Sequence, residues 1–196
     1  MQPTGEDTKI PLAGLWLPIV LSAVFVFVAS SIIHMVLKWH LPDYRGFSNE
    51  DEVLAAIRKG NPSPGIHMLP FCKDMKEMAS PDMLAKFRQG PTGKMILRAG
   101  AAPSMGKPLL QWFVLCLVVS LLCAVLAATA LAAGASFRQV LHLTGIAAFM
   151  AYGFGAFIQG IWWGQPWGAV AKDALDGLIF ALVTGATFGW LWPQAT

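Results

Sequence analysis

Three charged residues near the start of the last apolar stretch of the chain could do chemistry. Lys172, Asp173 and Asp176 fall within five residues of one another. Only 16 residues lie between Asp176 and Pro193, which is roughly 24 Å of helix, whereas the hydrocarbon core of a bilayer is about 30 Å thick. Asp176 is therefore predicted at or slightly below a membrane boundary. Together with His34, the three residues form a predicted polar site at the membrane edge.

Asp176 allows two interpretations. In the favoured one, Asp173 caps the helix and Asp176 is stabilised by the positive end of the helix dipole. In the other, Asp176 binds an ion, a proton or a partner's basic residue, because charges within membrane spans are costly and commonly functional. Other polar residues are expected on the same side of the membrane: His40, Gln111, Cys116 and Gln159.

A second segment carries soft metal ligands. It contains His67, Cys72, Met75 and Met78 within twelve residues, and sulfur ligands with an imidazole suit Cu(I). The spacing matches no fixed metal motif, however, and flexible methionines also fill gaps between packed elements. We therefore predict no metal and no cofactor, and keep copper handling by these four residues as an alternative.

Signatures of enzymes are absent from the sequence. It contains no HExxH, GxSxG, P-loop or CxxC motif. His34 and His142 are expected near opposite membrane faces, so one haem could not bind both. The net charge of +3 comes from basic residues that are not clustered, which argues against nucleic acid as a partner. No catalytic residue is predicted, and the protein is expected not to be an enzyme.

The elements that position these residues are predicted to be membrane spans. Of the 196 residues, 56% are hydrophobic and 13% are charged, and the mean hydropathy is +0.56. These values indicate an all-α integral membrane protein. Four stretches are long and apolar enough to be transmembrane helices: 12–37, 109–133, 139–163 and 174–192. Tryptophan prefers the bilayer interface, and every tryptophan lies within five residues of a predicted span end: Trp16, Trp39, Trp112, Trp162, Trp163, Trp167, Trp190 and Trp192.

Between the first two spans lies a predicted extramembrane insert of about 70 residues, 38–108. One helix is expected from Ser48 to a stop at Gly60, with acids in its first turn and bases in its last. A second helix is expected from Ser80, with proline at its first position. Short strands are predicted at 65–71 and 94–99. A mainly helical, folded insert follows from this pattern.

Charge near the span ends predicts the orientation. Seven Lys and Arg flank the spans on the side of the insert, against two on the other side. The positive-inside rule places the insert in the cytoplasm and both termini outside, including the short tail 1–11. Without a recognisable targeting segment, a bacterial inner membrane is the expected location.

Small residues recur at every fourth position in the later spans and predict close helix packing. The glycines assigned to this packing are Gly160, Gly164, Gly177, Gly185 and Gly189. Packing within the chain is favoured, and the pair Gly185 and Gly189 is the best candidate for docking a second copy or another membrane protein. We expect the protein to be a structural or accessory subunit that docks a partner in the membrane. Copper handling and ion or proton passage at Asp176 are the alternatives.

Overall fold

The computed structural model describes residues 10–102 and 104–195, which are mostly helical. The chain divides into two compact units. One, the bundle unit, contains the described residues up to Asp43 together with Ser104–Ile161 and those from Gln165 onward. The other, the insert unit, contains Tyr44–Pro103 and Trp162–Gly164. Most of the predicted tail 1–11 lies outside the described residues.

The helices were predicted in broadly the right places, with shifted ends. In chain order they are α1 (Trp16–Ser31), α2 (Glu50–Lys59), α3 (Pro81–Gln89), α4 (Gly106–Ala130), α5 (Phe137–Tyr152), α6 (Phe154–Trp163) and α7 (Trp167–Trp190). Among the described residues, three helical stretches are long and apolar enough to cross a membrane: Leu12–Leu37, Gly106–Ala130 and Phe137–Trp163. The first of these begins with a 3-10 turn and ends in a π-helical turn, Ile32–Leu37.

The four long helices of the bundle unit pack as a ring. α1 contacts α4 and α7, and α5 contacts the same two helices. The interior contains many small side chains, such as Ala23, Ala124 and Ala181, beside a few large ones such as Phe188. Large apolar side chains, including Leu122 and Ile146, are more than half exposed. Small residues inside and large apolar residues outside are typical of helices that pack against each other within lipid.

The third predicted span is interrupted, whereas the sequence predicts one helix over 139–163. α5 ends at Tyr152 and α6 begins at Phe154, with Gly153 between them. A Cβ atom built on Gly177 of α7 would lie 2.5 Å from Gly153 Cα. The two backbones are therefore in direct contact at this point. Apart from proline, glycine has the weakest preference for regular helix, which explains why the interruption falls at Gly153.

α7 begins earlier than predicted, and this changes the interpretation of its charges. Pro166 occupies the N-cap position. Asp173 is therefore the seventh residue of the helix, and its predicted role as the helix cap is wrong. Asp176 lies one turn further on, and the favourable effect of a helix dipole fades within the first turn. Neither Asp173 nor Asp176 is therefore stabilised as a cap or by the dipole at the start of α7.

The described part of the insert unit contains two short α-helices and a two-stranded sheet. β1 (Gly65–Leu69) pairs antiparallel with β2 (Gly93–Leu97), and Ile66 lies opposite Ile96. α2 ends at Gly60 as predicted, but its N-cap is Asn49 rather than Ser48. The hydroxyl of Ser80 accepts a hydrogen bond from the Met83 amide and caps α3 as predicted.

Candidate functional site

Six polar side chains gather where the first apolar stretch meets α7. His34 lies in the π-helical turn that ends this stretch, and His40 and Asp43 come from the turn that follows it. The others lie on consecutive turns of α7. The cluster, called the His–Asp centre below, consists of His34, His40, Asp43, Lys172, Asp173 and Asp176.

Asp176 is the most deeply placed member of the His–Asp centre. Only 4% of its surface is exposed. Its Oδ2 accepts a hydrogen bond from His40 Nε2 at 2.8 Å, and His34 Nε2 lies 3.6 Å from the same oxygen. Its Oδ1 is buried without a hydrogen-bond partner among the described residues. A buried acceptor left unpaired lowers the stability of the folded protein by about 1–3 kcal/mol. A hydrogen-bond donor or a cation bound to this oxygen would remove that cost.

Both imidazoles turn their Nε2 atoms toward Asp176. His34 Nδ1 donates to the Ser30 carbonyl at 3.0 Å, which leaves Nε2 free to accept a proton or bind a metal. His40 Nδ1 lies 3.4 Å from Asp43 Oδ2 and 3.7 Å from Asp173 Oδ1. The two rings stack, with centroids 5.1 Å apart and planes 9° from parallel.

An ion pair holds the turn that carries His40 against α7. Lys172 Nζ donates to Asp43 Oδ1 at 2.7 Å and to the Trp39 carbonyl at 2.9 Å. The hydrogen bond from Lys172 lowers the pKa of Asp43 below its ordinary value, against the opposing effect of burial. The positive charge of Lys172 and a charge on His40 act in the same direction as the hydrogen bond. Asp43 therefore stays ionised beside His40.

The charge balance of the His–Asp centre favours a cation. Asp43, Asp173 and Asp176 supply three carboxylates, and Lys172 supplies the ammonium group that pairs with Asp43. With all three carboxylates ionised and both imidazoles neutral, the centre is negatively charged. It can therefore take up protons or a metal ion.

A cavity of about 430 Å³ adjoins Asp176 within the bundle unit. Its lining includes His34, Trp112 and Tyr152 beside mainly apolar side chains. The Trp112 Nε1 atom is buried and, like Asp176 Oδ1, has no hydrogen-bond partner in the described part of the chain. A small polar ligand or water in this cavity would lie beside Asp176 and Trp112.

The structure brings all four residues of the predicted membrane-edge site into the His–Asp centre. His34, Lys172, Asp173 and Asp176 are joined there by His40, which the sequence placed only on the same side of the membrane. Sequence reasoning missed Asp43. The spacing His40-x-x-Asp43 directly after a predicted span could have indicated this residue, because a turn brings side chains at that spacing together.

Four of the five glycines assigned to helix packing lie at close approaches within the bundle unit. Cβ atoms built on Gly177, Gly185 and Gly189 would each come within 3.0 Å of α5 or of the Gly153 that follows it. A Cβ on Gly160 would meet Val170 at 3.0 Å. Gly185 and Gly189, proposed from sequence as a docking surface, are thus covered by the chain itself.

Gly164 does not form the close helix contact predicted for it. It lies between α6 and α7 with a φ of 69°, and no described atom comes within 4 Å of the position its Cβ would take. Its conformation is the left-handed one that favours glycine. Gly164 therefore serves a turn in the insert unit rather than a helix contact.

In the segment proposed to bind copper, two of the four candidate ligands form hydrogen bonds with backbone carbonyls nearby in the chain. His67 Nε2 donates to the Ser63 carbonyl at 2.9 Å, and the Cys72 thiol donates to the Asp74 carbonyl at 2.9 Å. Met75 is 76% exposed and Met78 is 39% exposed. Binding copper would require His67 and Cys72 to exchange these backbone partners for the metal.

No family model matches this chain, and no curated protein or solved structure is significantly similar to it.

Proposed function

We propose that this chain is a four-span, non-enzymatic membrane protein that binds a cation, either a proton or a metal ion, at Asp176. The observation that carries the proposal is the buried Asp176 carboxylate, with two imidazoles directed at one oxygen and the other oxygen unpaired among the described residues. Buried carboxylates in membrane proteins mark ion pathways and proton relays. Passage of the cation across the membrane would extend this binding role.

The proposed membrane arrangement adds α7 to the three apolar stretches. Trp167 and Trp190 at its two ends are 60% and 85% exposed, as expected for indoles in the interfacial zones. The excess of basic residues beside the insert supports a cytoplasmic insert and external termini in a bacterial inner membrane. The His–Asp centre would then open on the cytoplasmic side.

Infrared difference spectroscopy of the purified protein in lipid nanodiscs tests cation binding at Asp176. A protonated carboxyl group has a resolved carbonyl band, so acidification should produce a band that is missing in Asp176→Asn. Addition of a cation that competes with the proton should remove this band. Identical spectra for the parent protein and Asp176→Asn, both on acidification and on addition of a metal ion, would overturn the proposal. Proteoliposomes with a pH-sensitive dye then test passage, which Asp176→Asn should abolish.

A second candidate function is the docking of another membrane protein or a second copy by the insert unit. Ile66 and Ile96 are paired across the two-stranded sheet and are 68% and 64% exposed. Tyr44, Phe47 and Phe71 are also more than 60% exposed. Exposed apolar groups of this size favour a partner or the lipid surface.

Affinity purification in mild detergent tests the docking function. A partner should be recovered with the parent protein and lost with Ile66→Ser/Ile96→Ser. Recovery of a lone monomer from both proteins would contradict it.

A further inference from the structure

We infer that His34, His40 and Asp176 form a two-histidine, one-carboxylate site for a divalent transition metal ion of the zinc class. The inference rests on the proposed function and specifies the cation. One ligand atom from each residue can be chosen so that all three lie within 4.8 Å of one another. These residue types are the ones that bind zinc and non-haem iron in sites that keep an open position.

The distances between ligand atoms are close to those of a metal site. Zinc bonds to imidazole nitrogen and carboxylate oxygen are about 2.0–2.2 Å, so neighbouring ligand atoms in a tetrahedral site lie roughly 3.3 Å apart. The separation of His34 Nε2 and Asp176 Oδ2 is 3.6 Å. His40 Nε2 is nearer to this oxygen, at 2.8 Å, because a proton joins the two atoms. A metal ion would replace this proton and move the atoms about 0.5 Å apart.

The groups behind the ligands are those that orient metal-binding histidines. Such a histidine commonly donates its second ring N–H to a carbonyl or a carboxylate, which fixes its tautomer. His34 Nδ1 donates to the Ser30 carbonyl. His40 Nδ1 faces the carboxylates of Asp43 and Asp173. Both Nε2 atoms therefore remain near the shared oxygen of Asp176, at 3.6 Å for His34 and 2.8 Å for His40.

A simple histidine–aspartate ion pair does not account for the whole arrangement. His40 alone completes such a pair, at 2.8 Å. His34 stacks on His40 and directs its Nε2 toward the same oxygen at a distance too long for a hydrogen bond. Asp176 Oδ1 is unpaired within the described residues and more than nine-tenths of the side chain is buried. One divalent ion would bind both imidazoles and balance the charge of the carboxylates.

One ligand of the site is exposed, and the site has room for a further ligand. The His34 side chain is 51% exposed, so this ligand lies at the surface of the bundle unit. His34 and Asp176 also line the cavity of about 430 Å³. A fourth metal ligand, either water or a small molecule, would lie in this cavity.

Metal titration of the untagged, full-length protein tests the inference. Protein stripped by a chelator is titrated with ZnCl2 by calorimetry, and the retained metal is measured by plasma mass spectrometry after dialysis. One zinc ion per chain is expected. Asp176→Asn and His34→Ala should weaken zinc binding at least roughly 100-fold, since changes to the outer groups alone cost about 10- to 100-fold. CoCl2 should give the visible spectrum of a four- or five-coordinate ion.

Two control variants separate this site from its alternatives. Val36→Ala alters an exposed residue of the same π-helical turn that does not line the cavity, and it should keep zinc affinity unchanged. Cys72→Ser/Met75→Leu removes ligands of the copper alternative and should also retain the zinc. His34→Ala keeps the test valid if Asp176→Asn fails to fold, because the His34 side chain is half exposed.

Four outcomes would overturn the inference. Absence of zinc binding in the parent protein, with the Asp176 carboxyl band still present on acidification, would leave proton binding as the function and exclude the metal. Loss of zinc only from the Cys72→Ser/Met75→Leu variant would mean that the zinc site lies in the insert unit. Zinc binding that is equal in parent and His34→Ala protein would remove His34 from the ligand set. Absence of both zinc binding and the Asp176 band would overturn the proposed function as well.

Discussion

The Asp43 carboxylate contacts both Lys172 of α7 and the imidazole of His40. Its Oδ1 accepts from Lys172 on α7, and its Oδ2 faces His40 Nδ1 at 3.4 Å. The carboxylate therefore orients an imidazole and fastens the turn at the same time. Because both contacts depend on the negative charge, a neutral side chain of the same shape would weaken both.

The lowered pKa of Asp43 predicts a loss of stability in acid. A carboxyl group whose pKa is lower in the folded state stabilises the protein fully above its unfolded pKa, and this contribution disappears as the pH falls through the folded pKa. We therefore expect the melting temperature of the parent protein to exceed that of Asp43→Asn by a constant amount above about pH 4, and the difference to shrink below it. Differential scanning fluorimetry of both proteins measures the difference.

Lys172→Met provides the control, because it removes the main cause of the lowered pKa. In the Lys172→Met background, the Asp43→Asn change should have a small effect on the melting temperature at all pH values. A difference that persists unchanged well below about pH 3 in the parent background would contradict the assigned ion pair.

A buried hydroxyl pair joins α1 to α4. Ser22 Oγ donates to Ser120 Oγ at 2.7 Å, and both residues are fully buried. Hydrogen bonds between membrane helices contribute about 0.6 kcal/mol on average and up to about 1.7 kcal/mol. We expect Ser22→Ala and Ser120→Ala each to destabilise the bundle within this range. The double variant should cost less than the two single changes together, because no hydroxyl is then left unpaired.

Reversible unfolding in mixed detergent micelles measures the coupling between the two hydroxyls. Additive effects of the single variants would show that each hydroxyl acts alone, for instance by bonding to the carbonyls of its own helix.

At the scale of elements, glycine contacts decide how closely α7 approaches α5. A Cβ atom at Gly177 would lie 2.5 Å from Gly153 Cα and 2.7 Å from its nitrogen. Backbone atoms cannot move aside as a flexible side chain can. Gly177→Ala should therefore separate the helices and lower stability by at least about 1–3 kcal/mol, the usual cost of overpacking.

Gly168→Ala is the matched control for Gly177→Ala. Gly168 lies in the same helix, and no described atom is within 4 Å of its Cβ position. The change should be neutral or stabilising, since alanine is the better helix former by up to about 1 kcal/mol. Thermal unfolding in detergent compares the two variants. Equal effects would mean that α7 does not touch the backbone at Gly153.

The sequence predicts elements better than it predicts their contacts. Hydropathy located the apolar stretches 12–37 and 109–133 to within three residues, because about 20 apolar residues are required to cross lipid. It could not show the interruption at Gly153, which depends on the approach of Gly177 from a distant helix. The start of α7 was also missed, because its first turns carry charges that interrupt the apolar pattern.

Several members of the candidate site were predicted from the sequence, but their geometry was not. Counting residues to the end of α7 placed Asp176 near a membrane boundary together with His34. That His40 lies 2.8 Å from Asp176 depends on the turn Leu41–Asp43 and on the bond from Lys172. Contacts between residues 136 positions apart follow from helix packing rather than from local sequence.

At the scale of the whole molecule, the distribution of side chains supports a protein surrounded by lipid. Many of the residues buried inside the ring of helices are alanines, and residues such as Val118 and Leu126 are nearly half exposed on its outside. In water, this surface would favour aggregation. In lipid, it is solvated by acyl chains, and the close contacts of α5 with α7 supply the association energy.

Cysteine labelling in intact cells tests the proposed orientation of the molecule. Cys72 is partly accessible in the insert unit, whereas Cys116 and Cys123 are buried in the bundle unit. A membrane-impermeant maleimide should therefore report on Cys72 alone, with Cys72→Ser as the unlabelled control. Because basic residues flank the spans on the insert side, we expect labelling only after lysis. Rapid labelling of intact cells would place the insert outside. It would also reverse the side from which a cation reaches His34, since residues 38–43 join the π-helical turn to the insert.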